Sequence, residues 1–376
     1  MSINTAHFFR LIQNEDISFF TGVPDSLLKN FCLCIDNNVS KNDHIIAANE
    51  GNAIAIAAGY FLATNKVPIV YMQNSGLGNA INPLLSLCDS SVYSIPLVLV
   101  IGWRGEPGVP DEPQHIKQGE IQLDLLKLLK IPYEVLSGEE INYRQKVEKI
   151  IQIAKNKNKP TALLIKKKTF TKYELNSSEN QYKGMRREEA LEIILEFLPY
   201  DAIIVSTTGK TSREIYEIRE RKKEPHKKDF LTVGSMGHCS SIALGLAISK
   251  PNRKVFCIDG DGALIMHMGS LSSVGKLNPK NFYHILMNNE VHESVGGQAT
   301  ASSNINFQKL TQSNGYNKST FVEKKEELEI EMKYFLNEEG PNFIEVKINP
   351  GSRKDLGRPA SSPIDNKKQI MDYIKN

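Results

Sequence analysis

Short apolar runs alternate with longer amphipathic stretches along this chain, a rhythm that predicts strands of parallel sheets joined by crossover helices. In the first half Asp16–Thr21, His44–Ala48, Val67–Met72, Ile95–Ile101, Tyr133–Leu136 and Thr161–Ile165 read as strands. Ile95–Ile101 is apolar throughout, as a strand covered on both faces should be. Helices are predicted over residues 5–15, from Leu27 onward, and over Ala53–Gly59, Leu123–Leu129 and Ile141–Lys155. The second half restarts the rhythm. Arg186–Phe197, the small-residue stretch Ser240–Ile248, a stretch carrying Leu264, Met268, Leu271 and Leu277, and Glu326–Asn337 read as helices. Ala202–Ser206, Val255–Ile258, Phe282–Met287 and Asn342–Val346 read as strands. Residues 172–185 are polar and aperiodic. The pattern predicts an α/β protein of two doubly wound, mostly parallel-sheet domains, 1–171 and 186–376, joined by a linker over 172–185.

Ligands of open parallel sheets bind at the carboxyl ends of strands, and the polar clusters of this chain fall there. In Gly22–Ser26, Asp25 or Ser26 can cap the helix from Leu27, and the Asp25 carboxylate can instead face a ligand. Asn49-Glu50 opens a helix of small side chains, where a glutamate ordinarily complements the helix dipole. Gln73–Asn79 is glycine-rich and suits either a phosphate cradle or tight helix packing. The polar loop after Ile101 holds Arg104 and His115 and is a candidate lid over a substrate. Thr207–Ser212 invites a phosphate-loop reading, but Ile204 stands where that motif needs glycine. Gly260-Asp261-Gly262 follows one strand and Asn288-Asn289 the next. Asp261 offers a hard anionic oxygen and an asparagine a neutral one, while the glycines admit a phosphate to the backbone. Mg²⁺ takes one or two protein side chains together with substrate phosphates, so this donor set suits it.

Composition narrows the picture by exclusion. A chain of 376 residues is long for one core and suits two. A net charge of +3 gives no support to a nucleic-acid or membrane partner, and no apolar run approaches membrane-spanning length. The five cysteines are scattered without a disulfide framework or metal-site spacing. Together with an N-terminus that lacks a signal-peptide pattern, they lead us to expect a cytoplasmic protein.

Gly-Asp-Gly after one strand with Asn-Asn after the next resembles the cofactor motif of thiamine-diphosphate enzymes. The resemblance implies their two-domain fold, with thiamine diphosphate and Mg²⁺ as cofactors. Asp261, Asn289 and the carbonyl of Val291 match the metal ligands, and Thr208, Gly209, Gly260, Gly262 and Ala263 the surroundings of the diphosphate. Glu50 matches the acid that bonds the aminopyrimidine nitrogen N1′. Gly234-Ser235-Met236 matches the segment whose carbonyl meets the 4′-amino group and whose apolar residue wedges between the two rings. Within this class the chain resembles the phosphonopyruvate decarboxylases through Gly22–Leu28, Asn49–Gly59, Gly102–Gly119, Asp259–Met268, Asn288–Thr300 and Gly351–Pro359. These compact relatives lack the third domain of larger ones. The resemblance implies a 2-oxo acid decarboxylase acting on 3-phosphonopyruvate through a thiamine diphosphate ylid, in the biosynthesis of phosphonates such as 2-aminoethylphosphonate. Its active sites would lie at the subunit interfaces of a homo-oligomer. Asp25, His115 and His292 are then the candidate proton donors, and Asp25, Arg104, His115, Ser294 and Arg353 the candidate substrate contacts. Sulfopyruvate decarboxylase, which typically carries Cys where this chain has Asp25, and a carboligase of 2-oxo acids are the alternatives.

Overall fold

A computed structural model describes residues 2–173 and 184–375. The expected linker, 172–185, falls mostly outside the described residues. The chain divides into two compact units, Met1–Ser178 with His292–Ala299, and Glu179–Val291 with Thr300–Asn376.

The first unit is a six-stranded sheet of β1 (Phe20–Gly22), β2 (His44–Ile46), β3 (Ile69–Gln73), β4 (Val98–Gly102), β5 (Tyr133–Leu136) and β6 (Thr161–Ile165). Its order is β2-β1-β3-β4-β6-β5, and every pairing is parallel. The second unit holds β7 (Ile203–Ser206), β8 (Asp229–Leu231), β9 (Val255–Gly260), β10 (Phe282–Asn288), β11 (Lys318–Val322) and β12 (Asn342–Lys347). Its order is β11-β12-β10-β9-β7-β8, again wholly parallel. Counted from its own first strand and read from the β8 edge, the second order repeats the first. Each sheet therefore has a topological switch point, between β1 and β3 in one and between β7 and β9 in the other.

Strand periodicity explains why both faces are apolar. Successive side chains of β4 go to opposite faces. Val98 and Val100 join a core with Phe8, Phe31 and Ile151, whereas Leu99 and Ile101 join another with Ala57, Leu77 and Leu126. In β9, Phe256 and Ile258 enter the core formed with Leu191, Ile215 and Met332. Cys257 and Asp259, buried too, take the other face.

Several local expectations need correcting. The helix expected through Leu264 and Leu277 is two helices, Asp261–Met266 and Ser270–Leu277, broken at His267–Gly269. The helix expected from Leu27 is Lys29–Asn38; Leu28 is its N-cap without a side-chain bond, so Asp25 does not cap it. The glycine-rich stretch Gln73–Asn79 runs into a helix, Leu77–Pro83, and the expected lid contains another, Pro113–Glu120. Additions include the helices Lys210–Lys222, Phe307–Ser313 and Pro363–Lys375 and the edge strands β8 and β11. Lys210–Lys222 buries Glu214 and Arg219, whose partners are Arg187 (2.7 Å) and Asp229 (3.0 Å), so charge hides its inner face from a hydrophobicity reading. All five cysteines are buried free thiols.

Candidate active site

In the second unit the loops after β7, β8, β9 and β10 carry most of the expected cofactor residues. Gly260 ends β9, and Asp261 is the first residue of the next helix, so its carboxylate sits at a helix N-terminus beside the switch point. Asp261 is only 3% exposed. Its Oδ2 accepts a 2.5 Å hydrogen bond from the Thr300 hydroxyl, and the Ser302 hydroxyl and the Gly262 backbone also favour the anion. These donors are neutral, and burial still raises the Asp261 carboxyl above its ordinary range. A buried carboxylate among neutral donors is costly, and a divalent cation removes that cost.

The two asparagines after β10 separate by partner. The Asn288 amide donates to Glu345 Oε1 at 2.6 Å, and Gln308 takes the other Glu345 oxygen at 2.6 Å. Asn289, buried just beyond the strand end, accepts from the Val291 amide at 3.1 Å in a turn that brings both residues to one place. After β7, the Thr208 hydroxyl accepts from the Gly234 amide at 2.9 Å, tying Thr208-Gly209 to Gly234-Ser235-Met236. Left-handed backbone at Gly234 (φ 74°), Ser235 (φ 48°) and Gly237 (φ 86°) lifts this segment into a tight loop with Met236 half-buried.

In the first unit Glu50 opens the helix Glu50–Thr64 and is 5% exposed. Asn49 caps that helix through Asn52 N at 2.9 Å. Glu50 Oε2 accepts from the Asn79 amide at 2.8 Å. A Cβ at Gly76 would lie 2.3 Å from Glu50 Oε1, so only glycine leaves that carboxyl room. The stretch weighed as a phosphate cradle, Gln73–Asn79, is therefore the seat of Glu50.

Asp25, Arg104 and His115 gather around the ends of β1 and β4. Asp25 is fully buried, accepts from Leu27 N at 2.9 Å, and leaves Oδ1 without a partner. Burial outweighs the Leu27 amide and the nearby Arg104 charge and pushes its carboxyl up to about 6. Arg104 grips Asp111 with two nitrogens, Nε at 2.8 Å, and gives Nη1 to Ser26 at 2.8 Å. The Asn74 side chain holds both the amide and the carbonyl of Arg104. His115 is buried with Nδ1 unpartnered, and burial plus the Arg104 charge drive it down to about 4. His292 belongs to the segment His292–Ala299 of this unit and is held at about 4 by burial, while Ser294 is exposed. Arg353 belongs to the second unit and is bound to Glu188, Glu217 and Asp355.

Asp111, Asn74, Asn79 and Glu345 were not anticipated, nor was Thr300 as the partner of Asp261. Asp111 was within reach, because a carboxylate beside Arg104 in one loop is a ready counter-ion. Thr300 and Asp261 stand 39 residues apart with nothing in the pattern to link them.

Residues 4–128 match the thiamine pyrophosphate enzyme N-terminal TPP binding domain, and residues 207–346 match the C-terminal TPP binding domain. Fold and site thus define a thiamine-pyrophosphate enzyme. A phosphonopyruvate decarboxylase of Streptomyces viridochromogenes is 33% identical over 346 residues, covering 88% of this chain and 85% of the relative. One from Streptomyces hygroscopicus is 33% identical over 335 residues, covering 85% and 81%. A sulfopyruvate decarboxylase of Methanosarcina acetivorans is 27% identical over 375 residues, covering 93% and 92%. The chain belongs to the phosphonopyruvate decarboxylase family of these enzymes. Among the described residues, no helix is long and apolar enough to cross a membrane.

Proposed function

We propose that this chain decarboxylates 3-phosphonopyruvate to phosphonoacetaldehyde and CO₂, a step of phosphonate biosynthesis, in the cytoplasm. The observation that carries the reading is 33% identity along 88% of the chain to an enzyme of that name. Thiamine diphosphate, when bound, supplies the nucleophilic carbon and the electron sink for the pair that departing CO₂ leaves behind.

The donor set fits that cofactor. Asp261, Asn289 and the Val291 carbonyl hold Mg²⁺, with Thr208, Gly209, Gly260, Gly262 and Ala263 lining the diphosphate. Asp261 has the neutral surroundings such a cation calls for. Glu50 holds a proton against N1′, with Asn79 fixing its other oxygen. The Gly234 carbonyl would accept from the 4′-amino group, with Ser235 and Met236 lining the cofactor beside it.

Asp25 keeps its proton up to about pH 6, and His115 stays neutral above about pH 4. This makes Asp25 the group we assign to donate the proton that replaces the lost carboxylate, and leaves the neutral imidazoles of His115 and His292 to accept the separate hydroxyl proton released as the aldehyde departs. Arg104 exchanges Asp111 for the phosphonate, whose charge-assisted bonds are of the same kind. Ser294 and Arg353 complete the substrate contacts, Arg353 on release from Glu188 and Glu217. Because Glu50 and Asp261 belong to different units, a homo-oligomer with sites at its subunit interfaces is part of the proposal.

The test is product analysis with phosphonopyruvate, thiamine diphosphate and Mg²⁺, with EDTA as control. Phosphonoacetaldehyde that disappears with EDTA is expected. A faster turnover of sulfopyruvate would move the assignment to that substrate, and a hydroxyketone product would make the chain a carboligase.

A further inference from the structure

Beneath the loop that bears Asp261, the face of β9 turned away from the second unit's main core carries an unusual set of donors. Cys257 and Asp259 are two residues apart on one strand and so share a face. His284 of β10 is the register partner of Cys257. Cys239, the first residue of the helix Cys239–Ser249, reaches the same place, its Sγ 3.4 Å from that of Cys257. One ligand atom from each of Cys239, Cys257 and Asp259 lies within 4.8 Å of the others. His284 Nε2 stands 3.6 Å from Asp259 Oδ2, and both side chains are 0% exposed. Neither of these two atoms has a hydrogen-bond partner. Asp259 Oδ1 is used, accepting from Gly260 N at 2.8 Å, and Cys239 Sγ meets the Val205 carbonyl at 3.3 Å.

Buried polar atoms without partners are rare, and here two stand 3.6 Å apart, with the acid grouped with two thiols. The geometry points to a structural zinc site built on Cys239 Sγ, Cys257 Sγ and Asp259, with His284 Nε2, 3.6 Å from Asp259 Oδ2, moving in to close the shell when the metal binds. Two soft sulfurs, an imidazole and a carboxylate make a closed tetrahedral shell of the kind zinc takes, at about 2.0–2.3 Å from each atom. Zinc and not magnesium follows from the sulfur donors. Burial raises both thiols above their ordinary range, so the charge of the bound metal is what would make them thiolates. Binding displaces the two thiol protons to solvent, and the metal exchanges the weak sulfur contacts to Val205 for coordination. Tyr316 Oη lies 3.2 Å from His284 Nδ1. With Nδ1–H donating to that oxygen, Nε2 is left bare toward the metal, the usual outer arrangement of a metal-bound histidine. The site would brace Asp259, which holds the Gly260 amide and so the start of the Asp261 loop. This inference does not rest on the proposed substrate.

The test uses the full chain purified under reducing conditions. Zinc at about one atom per chain is expected after loading and dialysis against a weak chelator, in the presence of saturating Mg²⁺. Cobalt substitution should give thiolate-to-metal absorption in the near ultraviolet with the intense visible bands of a tetrahedral centre. Tyr316→Phe should lower zinc affinity about 10–100-fold with the bands retained. Cys257→Ser should weaken them, since only Cys239 is left to give them. Dialysed wild-type protein that is folded but free of zinc, cobalt spectra without thiolate bands, or an intact mass lighter by two hydrogens from a Cys239–Cys257 disulfide would each overturn the site. The wild-type measurements decide the matter even if Cys257→Ser does not fold.

Discussion

At the end of β1 a buried acid, Asp25, lies in the field of Arg104, and that cation is itself held by Asp111. At the end of β9 a buried acid, Asp261, has only hydroxyls and amides around it. The strands are topologically comparable, since both flank the switch point of a sheet with the same order. The fold therefore fixes where a ligand goes, and the charge inventory of the loops decides which ligand. The first unit supplies its own cation and keeps groups with displaced proton affinities, as proton transfer needs. The second withholds a cation and offers helix N-termini and glycine amides, as a metal-diphosphate needs.

The largest break in that comparison would come from Asp261→Ala. We expect more than about 100-fold loss of Mg²⁺ affinity, beyond what loss of an outer partner costs, and no measurable decarboxylation. Titration calorimetry with thiamine diphosphate and Mg²⁺ checks it; unchanged binding would put the metal elsewhere. Glu50→Gln should come next, lowering kcat about 10²–10⁴-fold, the range of a lost proton-transfer group, with Mg²⁺ affinity unchanged. Gly76→Ala crowds the same carboxyl by placing a methyl 2.3 Å from Oε1. It should cost about 10²-fold in kcat through misplacement alone, and a wild-type rate would remove Glu50 from the chemistry.

Thr300→Val is the milder counterpart in the second unit. It deletes the 2.5 Å donor to Asp261 and leaves the carboxylate in place. About 10–100-fold weaker Mg²⁺ binding is expected, the usual result of removing an outer partner. Excess Mg²⁺ should restore the rate, which it should not do for Glu50→Gln.

The axis of the second site was legible because two signals coincided: an apolar run ending in Gly-Asp-Gly and another ending in Asn-Asn. Apolar runs such as Val98–Gly102 likewise gave their strands, all five residues of which are buried. Legibility failed where charge or polarity replaced the apolar signal. Arg219 and Glu214 are buried on Lys210–Lys222 and paired across to other elements, so the helix has no clean apolar stripe. Edge strand β11, Lys318–Val322, buries only Val322, and its polar half-exposed residues carry no alternation. The seat of Glu50 stayed open between a phosphate cradle and tight helix packing for a related reason. Glycine in Gln73–Asn79 signals close approach without saying to what, and the answer is a side chain from a different helix. The grip of Asp111 on Arg104 shows the same limit, since a sequence displays charges but not which of them are already paired.

The smallest effect sharpens the comparison from the side of stability. Asp25 has a folded value of about 6 against 3.8 ordinarily. Folded protein thus holds that proton more tightly, so the Asp25 contribution is present at low pH and fades as pH rises from about 4 to about 6. His115 has a folded value of about 4 against 6.5 and acts in the opposite sense. Its contribution is present above pH 6.5 and fades as pH falls toward 4. In wild-type protein the two slopes oppose each other across nearly the same window. Asp25→Asn removes one of them, so unfolding free energy should then rise with pH between about 4 and 6.5. Above pH 7 the variant should be more stable than wild type by up to about 3 kcal/mol, the value of a two-unit shift, while decarboxylation falls about 10²-fold or more. His115→Gln should show the reverse slope. Urea unfolding at half-unit pH steps reads both, and parallel profiles for wild type and Asp25→Asn would mean that Asp25 is not the strained acid of this site.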